Sequence, residues 1–368
     1  MKHLLLLGGG HSHIEVLRRF GLRRGGGTEI TLVNPSPHAL YSGMLPGAVA
    51  GLYAREECRI DLAALARPAD ARLICAAATA IDPRGRNVAL DNGSTVGYDI
   101  LSIDVGSAPA SIALEGVGKF AIPTRPADGF LAACERLVAR TRDGNVARVA
   151  VVGGGAAGVE IAFALQVRLR NAGARPPSIA LISDQARLLQ GHHARARQRV
   201  EQALRARGIA LHLACRVERI NAGAVVTSQG AIATDAVVWA TGAAAPVWLA
   251  GSGLALDAQG YLAVDAHLQS VSHPGVFAAG DCASIRGHPH PKSGVYAVRQ
   301  GPVLAENLCR RLQGRMLTPF KPQPRALALI SNSDGRAVAS YGRFAFEGAW
   351  VWRWKDRIDR RFIARYRR

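Results

Sequence analysis

Two glycine runs, each set between an apolar run and a helical pattern, carry the strongest chemical signal in the chain. Gly8-Gly9-Gly10-His11-Ser12-His13-Ile14-Glu15 follows four leucines, and Gly153-Gly154-Gly155-Ala156-Ala157-Gly158-Val159-Glu160 follows Val146–Val152. Glycine allows a tight turn and a close approach of backbone to ligand. The helix start behind it offers free N–H groups and about half a positive charge, which together make a seat for a pyrophosphate. The dinucleotide fingerprint has glycine at its first, third and sixth positions. Gly153, Gly155 and Gly158 satisfy it; Gly8 and Gly10 satisfy two of the three, and His13 takes the sixth. An imidazole there must either push the helix outward or point toward the ligand. A third stretch, Gly275-Val276-Phe277-Ala278-Ala279-Gly280-Asp281, reads as a short buried strand ending in Gly-Asp. Its carboxylate suits a sugar-alcohol hydroxyl, and Gly280 lets the ligand come close.

The elements that must hold these residues repeat as well. Tyr98-Asp99-Ile100-Leu101 leading to Gly106 and Pro109 matches Thr234-Asp235-Ala236-Val237 leading to Gly242 and Pro246, with Asp–x6–Gly kept in both. Thr28–Val33 reads as the strand after the first glycine helix, ending at Asn34, where an acidic residue usually meets a ribose. Ser178–Ile182 is its counterpart, ending at Ser183-Asp184. Residues 35–58 contain too many turn formers for core and read as a long loop, and residues 72–103 read as short strands parted by turns. Helices are expected over Ala127–Thr141 and near Ala194–Arg207. The fold class is α/β, with two Rossmann-like βαβ units and small antiparallel segments.

The chain has 368 residues, is 49% hydrophobic and carries a net charge of +19, nearly all of it arginine. Such a charge fits an arginine-rich proteome, an anionic membrane surface or an acidic partner. With no nucleic-acid-binding motif, nucleic acid is not expected as a partner. The six cysteines lie far apart with no metal-ligand spacing, so they are expected to be reduced, in a cytoplasmic protein without a metal. His288-Pro289-His290 has no acidic or cysteine companion and reads as a turn. No apolar run approaches the ~20 residues that span a bilayer.

In combination, GGG, Asp–x6–Gly, GGGAAGVE, WATG and VFAAGD resemble the pyridine nucleotide-disulfide oxidoreductase superfamily over nearly the whole chain. The resemblance implies an FAD-binding domain at 1–115 and 250–320, with an NAD(P)-binding domain at 116–249 inserted in it and a C-terminal region at 321–368. It implies that Gly8, Gly10, His11 and Ser12 lie along FAD, with Asn34 at the adenosine ribose and Asp281 at the ribityl chain. Gly294 and Val295, opening a helix after Pro291-Lys292-Ser293, would face the flavin pyrimidine edge. Gly153, Gly155 and Gly158 would hold NADH or NADPH, and Gly106 and Gly242 complete the cofactor-binding set. Asp184 could bind a ribose diol and favour NADH; Arg187 could accept a 2′-phosphate.

Only Cys58 falls where disulfide reductases carry a redox pair, and that absence resembles the type II NADH dehydrogenase-like branch. HSHIEVLRRFG, PHALYSGMLPG, PKSGVYAVRQGP and WKDRIDRRF further resemble the flavoprotein module found fused ahead of selenophosphate synthase. The branch implies electron transfer from NAD(P)H through flavin to a quinone or other diffusible acceptor. Reduction of sulfur or selenium species, and a non-enzymatic flavin redox sensor, are the alternatives. Glu160 and Lys292 are the candidate catalytic residues. Glu160 would orient the nicotinamide or relay a proton, or else merely complement its helix dipole. Lys292 would place charge near flavin N1, or else is a solvated loop lysine. Trp350, Trp354, Ile358, Phe362 and Tyr366 recur every fourth residue among arginines. This amphipathic stripe suits either peripheral contact with the inner face of the cytoplasmic membrane or packing on the FAD domain. A homodimer is a further expectation.

Overall fold

The computed structural model describes residues 1–23, 27–110, 113–173 and 177–367. Two five-stranded parallel sheets organise them. The first runs Val276–Ala278, Ile100–Ile103, Lys2–Leu7, Thr28–Val33, Ala71–Ile74 in space. The second runs Ala121–Pro123, Ala236–Trp239, Arg148–Val152, Ser178–Ile182, Ala210–His212. In each, the strand feeding a glycine turn lies at the centre. Leu4 to Leu7 are wholly buried, as expected of a parallel strand covered on both faces. The expected α/β class with two Rossmann-like units is observed.

The repeat extends to fine detail. Each unit carries a three-stranded antiparallel sheet, at Ala78–Asp82, Asn87–Leu90, Thr95–Gly97 and at Val217–Asn221, Ala224–Thr227, Gly230–Ala233. Both sheets slip register early in their first strand, between Ala78 and Ala80 and between Val217 and Arg219. The segments after Gly106 and Gly242 pair with each other, Ala108–Pro109 antiparallel to Ala243–Ala244, and tie the two units together.

Residues 35–58 are more ordered than a loop. Leu45–Ala50 forms a helix with Pro46 in its first turn and Gly51 as a left-handed cap at φ +80°, and Met44, Pro46, Gly47 and Val49 are buried. Turn formers here act as helix punctuation, since proline is preorganised for a first turn and glycine for a C-terminal cap. The C-terminal region forms an antiparallel sheet of Ala328–Ser331, Ala337–Tyr341 and Phe344–Gly348, followed by the helix Ala349–Tyr366.

That helix splits the aromatic stripe between its two fates. Phe362 and Tyr366 are buried beside the first sheet's core, and the Tyr366 hydroxyl donates to Glu15 Oε2 at 2.9 Å. Trp350 and Trp354 stay 48% and 40% exposed, and Ile358 is exposed with them. They continue an aromatic row with Phe344 and Phe346 of the preceding strand; Trp350 lies 5.9 Å from Phe346 and 6.4 Å from Trp354 between ring centroids. Among the described residues no helix is long and apolar enough to cross a membrane.

Candidate active site

Both glycine turns bring their first glycine against the end of the neighbouring strand, Ile100–Ile103 in the first unit and Ala236–Trp239 in the second. A Cβ on Gly8 would lie 2.3 Å from the Asp104 carbonyl oxygen, and one on Gly153 would lie 2.3 Å from that of Ala240. With φ at +90° and +133°, both positions need glycine on conformational grounds too. The turns differ beyond that. In the second, a Cβ on Gly158 would fall 1.9 Å from the Gly153 carbonyl oxygen, so the helix Ala156–Arg170 sits on its strand with no room for a side chain. Gly155 faces open space, and the Ala156, Ala157 and Gly158 N–H groups make no hydrogen bond among the described residues. This is a helix start with vacant donors.

In the first turn the sixth position holds His13, wholly buried. Burial drives its pKa down to about 4, so the ring is neutral. Its Nδ1–H donates to the Gly8 carbonyl at 2.7 Å, and Nε2 accepts from the Ser102 hydroxyl at 2.8 Å. His13 therefore points neither outward nor toward a ligand. It fills the gap between helix and strand that a glycine closes in the second unit. Gly9 N–H donates to Asn34 Oδ1 at 2.8 Å, and Asn34 Nδ2 donates to the Ser36 carbonyl at 2.6 Å. Asn34 thus braces the glycine turn.

The first helix (His11–Leu22) packs against the helix Gly294–Leu312 at backbone distance, because Gly301 has no side chain to hold off Glu15. Ser12 Oγ–H donates to the Ala297 carbonyl at 2.9 Å. This contact aims the start of the second helix, with its Gly294 and Val295 N–H groups unpaired among the described residues, across the start of the first. His11 lies between them. Its ring meets Tyr41 edge-on at 5.5 Å, and its buried Nε2 has no partner among the described residues. Gly280 and Asp281 close the same cleft. Asp281 Oδ2 accepts from Ser107 Oγ at 3.4 Å and faces Arg125 at 3.6 Å. Gly106 and Gly242 both border open space.

Glu160 leaves its own helix start and reaches the C-terminal region. Its Oε1 accepts from the Ser331 N–H at 2.8 Å. Burial pushes the carboxyl up to about 7, against the pull of the Lys355 ammonium. Lys355 Nζ donates to the Gly43 carbonyl at 2.6 Å and to Asp359 Oδ2 at 2.7 Å. Burial disfavours that ammonium, but Glu160 and Asp359 outweigh burial and hold it charged. The Tyr41 hydroxyl lies against Asp359, and its ring stacks on Phe362 at 4.1 Å. Lys292 stands outside this cluster. Its ammonium donates to the Ala283 carbonyl and sits 4.0 Å from the Tyr261 ring centroid, so its charge is engaged locally.

The sequence model of the pyridine nucleotide-disulphide oxidoreductases matches residues 2–301. The chain belongs to that family. Among its relatives, an NADH dehydrogenase-like protein of Mycobacterium tuberculosis is 32% identical over 62% of the chain. That match spans 59% of the relative's own length. The demethylphylloquinone reductase of Synechocystis is 28% identical over 92% of the chain and 87% of its own. Among solved structures, the sulfide:quinone oxidoreductase of Aquifex aeolicus superposes with a TM-score of 0.83 at 19% identity, covering 100% of this chain and 92% of its own. NDH2 of Plasmodium falciparum in complex with NADH gives 0.81 at 15% identity, covering 99% and 97%. Its relatives thus include NADH dehydrogenase-like proteins and a quinone reductase.

For this family member, three groups that motif spacing did not single out shape the cleft. Lys355 is hidden in a basic helix whose other cations face solvent. Asp359 reads as an ordinary i,i+4 partner of Lys355. Asp104 is one of the six unspecified positions of Asp–x6–Gly, five residues after Asp99, where the second unit has Ala240 five residues after Asp235. Its carboxyl is buried and accepts from the N–H groups of Ser12 at 2.8 Å and His13 at 3.3 Å. Of the six cysteines, all are free; Cys58, Cys134, Cys215 and Cys282 are buried, Cys75 is exposed and Cys309 partly so. Burial pushes the Cys58 thiol up to about 12.

Proposed function

We propose that the protein binds FAD along the first glycine turn and NADH or NADPH along the second, and that it reduces a quinone-type acceptor without a redox disulfide. A bound flavin would supply hydride acceptance from the nicotinamide and electron delivery to the acceptor. The residues present suit such a group. Free N–H groups at Gly10, His11, Gly294 and Val295 face one cleft, an orphaned buried His11 Nε2 points into it, and Asp281 offers a carboxylate to a polyol. In the second unit, open Gly155 and the free donors behind it suit the nicotinamide dinucleotide.

The observation that carries the reading is that Glu160, from the second unit, lies within electrostatic reach of the Lys355–Asp359 ion pair of the C-terminal helix, beside the Gly43 turn of the first. Reduction of a quinone consumes two protons. With its carboxyl near pH 7 and one oxygen held by Ser331, Glu160 can give or take a proton at the other oxygen. Lys355 opposes negative charge accumulating there and fixes the Gly43 turn. The demethylphylloquinone reductase likeness supports a quinone-type acceptor. A sulfur or selenium acceptor would call for a thiolate, and Cys58 is a buried, neutral thiol at neutral pH.

We further propose that the exposed row Phe344, Phe346, Trp350, Trp354 and Ile358 rests on a membrane surface, where Arg343, Arg353 and Arg357 would meet anionic headgroups. Interfacial aromatics and basic residues both favour such a site, at about 1 kcal/mol per cation. A lipid-dissolved acceptor would then reach the Lys355 cleft from the same helix. The test is anaerobic titration of the purified protein with NADH and with NADPH, followed by absorbance, then by addition of a quinone analogue, polysulfide or selenite. Flavin bleaching by a nicotinamide and reoxidation by the quinone are expected. A flavin indifferent to both nicotinamides refutes the reading, and turnover with polysulfide or selenite but not quinone replaces the acceptor.

A further inference from the structure

The two glycine turns are built alike but electrically opposed, and the difference is one carboxyl group. In the second unit the position after the strand beside the central one is Ala240, Gly155 borders open space, and the three first-turn N–H groups are free among the described residues. In the first, the same position is Asp104. Its side chain folds over the helix start and accepts the Ser12 and His13 N–H groups. A Cβ on Gly10 would lie 2.2 Å from its Cγ, and one on Gly280 would lie 2.3 Å from its Oδ1. Gly10 and Gly280 are therefore required by Asp104 before any ligand arrives. Among the described residues, only the Gly10 and His11 donors remain free at this end of the helix.

We infer that Asp104 is an internal anion that already occupies the phosphate-binding end of the first helix, so that binding of a dinucleotide pyrophosphate at this turn takes up one proton onto Asp104. The inference rests on the proposed FAD reading and adds to it a pH-dependent affinity. A diphosphate placed at the Gly10 and His11 donors puts two negative charges beside a carboxylate desolvated by its surroundings. The groups facing Asp104 give little relief. From the strand-end turn comes Asp281, a second carboxylate, with Arg125 on its far side. From the helix comes neutral His13, held below its ordinary value by burial, and from the same strand-end turn comes Cys282, a neutral thiol that burial pushes up to about 12. The lone carboxyl is already raised to about 7, chiefly by desolvation, with the Ser12 and His13 N–H groups lowering it and Asp281 raising it. A diphosphate raises it further. In the bound state Asp104 is thus the neutral acid, whose remaining oxygen still accepts from Ser12.

The sign follows from linkage. The bound form holds a proton that the free form loses above about pH 7, so FAD affinity falls as pH rises past that value, by up to ~10-fold per pH unit for one proton. The pyrophosphate diester keeps both charges across this range and contributes no slope. Asp104→Asn removes the proton and keeps the shape; Asp104→Ala reproduces the residue of the second unit.

Equilibrium dialysis of the purified protein against FAD between about pH 6 and about pH 8.5, read by flavin absorbance, tests the idea. The wild-type Kd is expected to rise at least tenfold over the alkaline half of that range. Both variants should bind more tightly than wild type at the alkaline end, with a flat profile. A wild-type profile as flat as that of the variants, or variants that bind more weakly at alkaline pH while retaining wild-type circular dichroism, overturns it. If one variant fails to fold, the other decides. Failure of the wild type to bind FAD at any pH refutes the FAD reading itself, an outcome distinct from a flat profile.

Discussion

Replacing Lys355 with methionine isolates the cluster that joins the two glycine units. The lysine side chain is 12% exposed and Asp359 only 5% exposed, and they are linked at 2.7 Å. Methionine keeps the stem and its packing but removes the ammonium. It leaves a buried Asp359 carboxylate unpaired, Glu160 without its opposing charge and the Gly43 carbonyl without a donor. Removing one partner of such a pair costs about 3–5 kcal/mol. At about 2 °C per kcal/mol, that lowers Tm by roughly 6–10 °C at pH 8. The penalty is pH-dependent with a definite sign. Desolvation already raises both carboxyls, and loss of Lys355 raises them further. A folded state that binds protons more tightly than the unfolded chain loses stability as pH rises above the ordinary carboxylate range. The loss is up to ~1.4 kcal/mol per pH unit per group, until the folded-state pKa is passed. The deficit should therefore be small near pH 4 and full above pH 8. Calorimetry of wild type and Lys355→Met across that range measures it. The double variant with Asp359→Asn should recover most of the loss, since the coupling lies in the pair. A deficit independent of pH, or a double variant as weak as the sum of the singles, refutes this account of the cluster.

His13→Gly completes the glycine fingerprint of the first turn yet should destabilise the protein by about 3 kcal/mol. It empties a filled gap and orphans the Ser102 hydroxyl, and thermal denaturation checks it. Gly155→Ala, at an ordinary φ of −78° with free space around it, should melt like wild type while weakening nicotinamide binding at least tenfold by titration. Gly158→Ala, by contrast, should lower Tm, because its Cβ meets the Gly153 carbonyl oxygen. Trp350→Glu with Trp354→Glu should abolish flotation with anionic liposomes at unchanged Tm. Phe362→Ala should cost about 3 kcal/mol and leave flotation intact, so that the two halves of one stripe separate by assay.

Much of the fold was legible because parallel α/β architecture writes itself locally. A run such as Leu4 to Leu7 is apolar on both faces, and the glycines after it answer a steric demand made within a few residues. Duplication then made each signal check the other. The helix Leu45–Ala50 was missed because Pro46, Gly47 and Gly51 read as turn formers, though proline at a helix start and glycine at its end belong to the helix itself.

The sequence by itself determined the two glycine turns, their strands, the Gly-Asp strand end and the absence of a dithiol, since each depends on neighbours close along the chain. It also marked Glu160 as a residue of interest. Only the tertiary structure decided what these residues face. His13 and Gly158 share a fingerprint position, but one fills a gap and the other closes it, because helix-to-strand distance is set by the whole packed layer. Glu160 feels the charge of Lys355 across 195 residues of chain. The charge of a buried carboxyl depends on the solvent and partners removed by folding, which is why Asp104, an unspecified position within Asp–x6–Gly, emerges as the group that distinguishes the first glycine turn from the second.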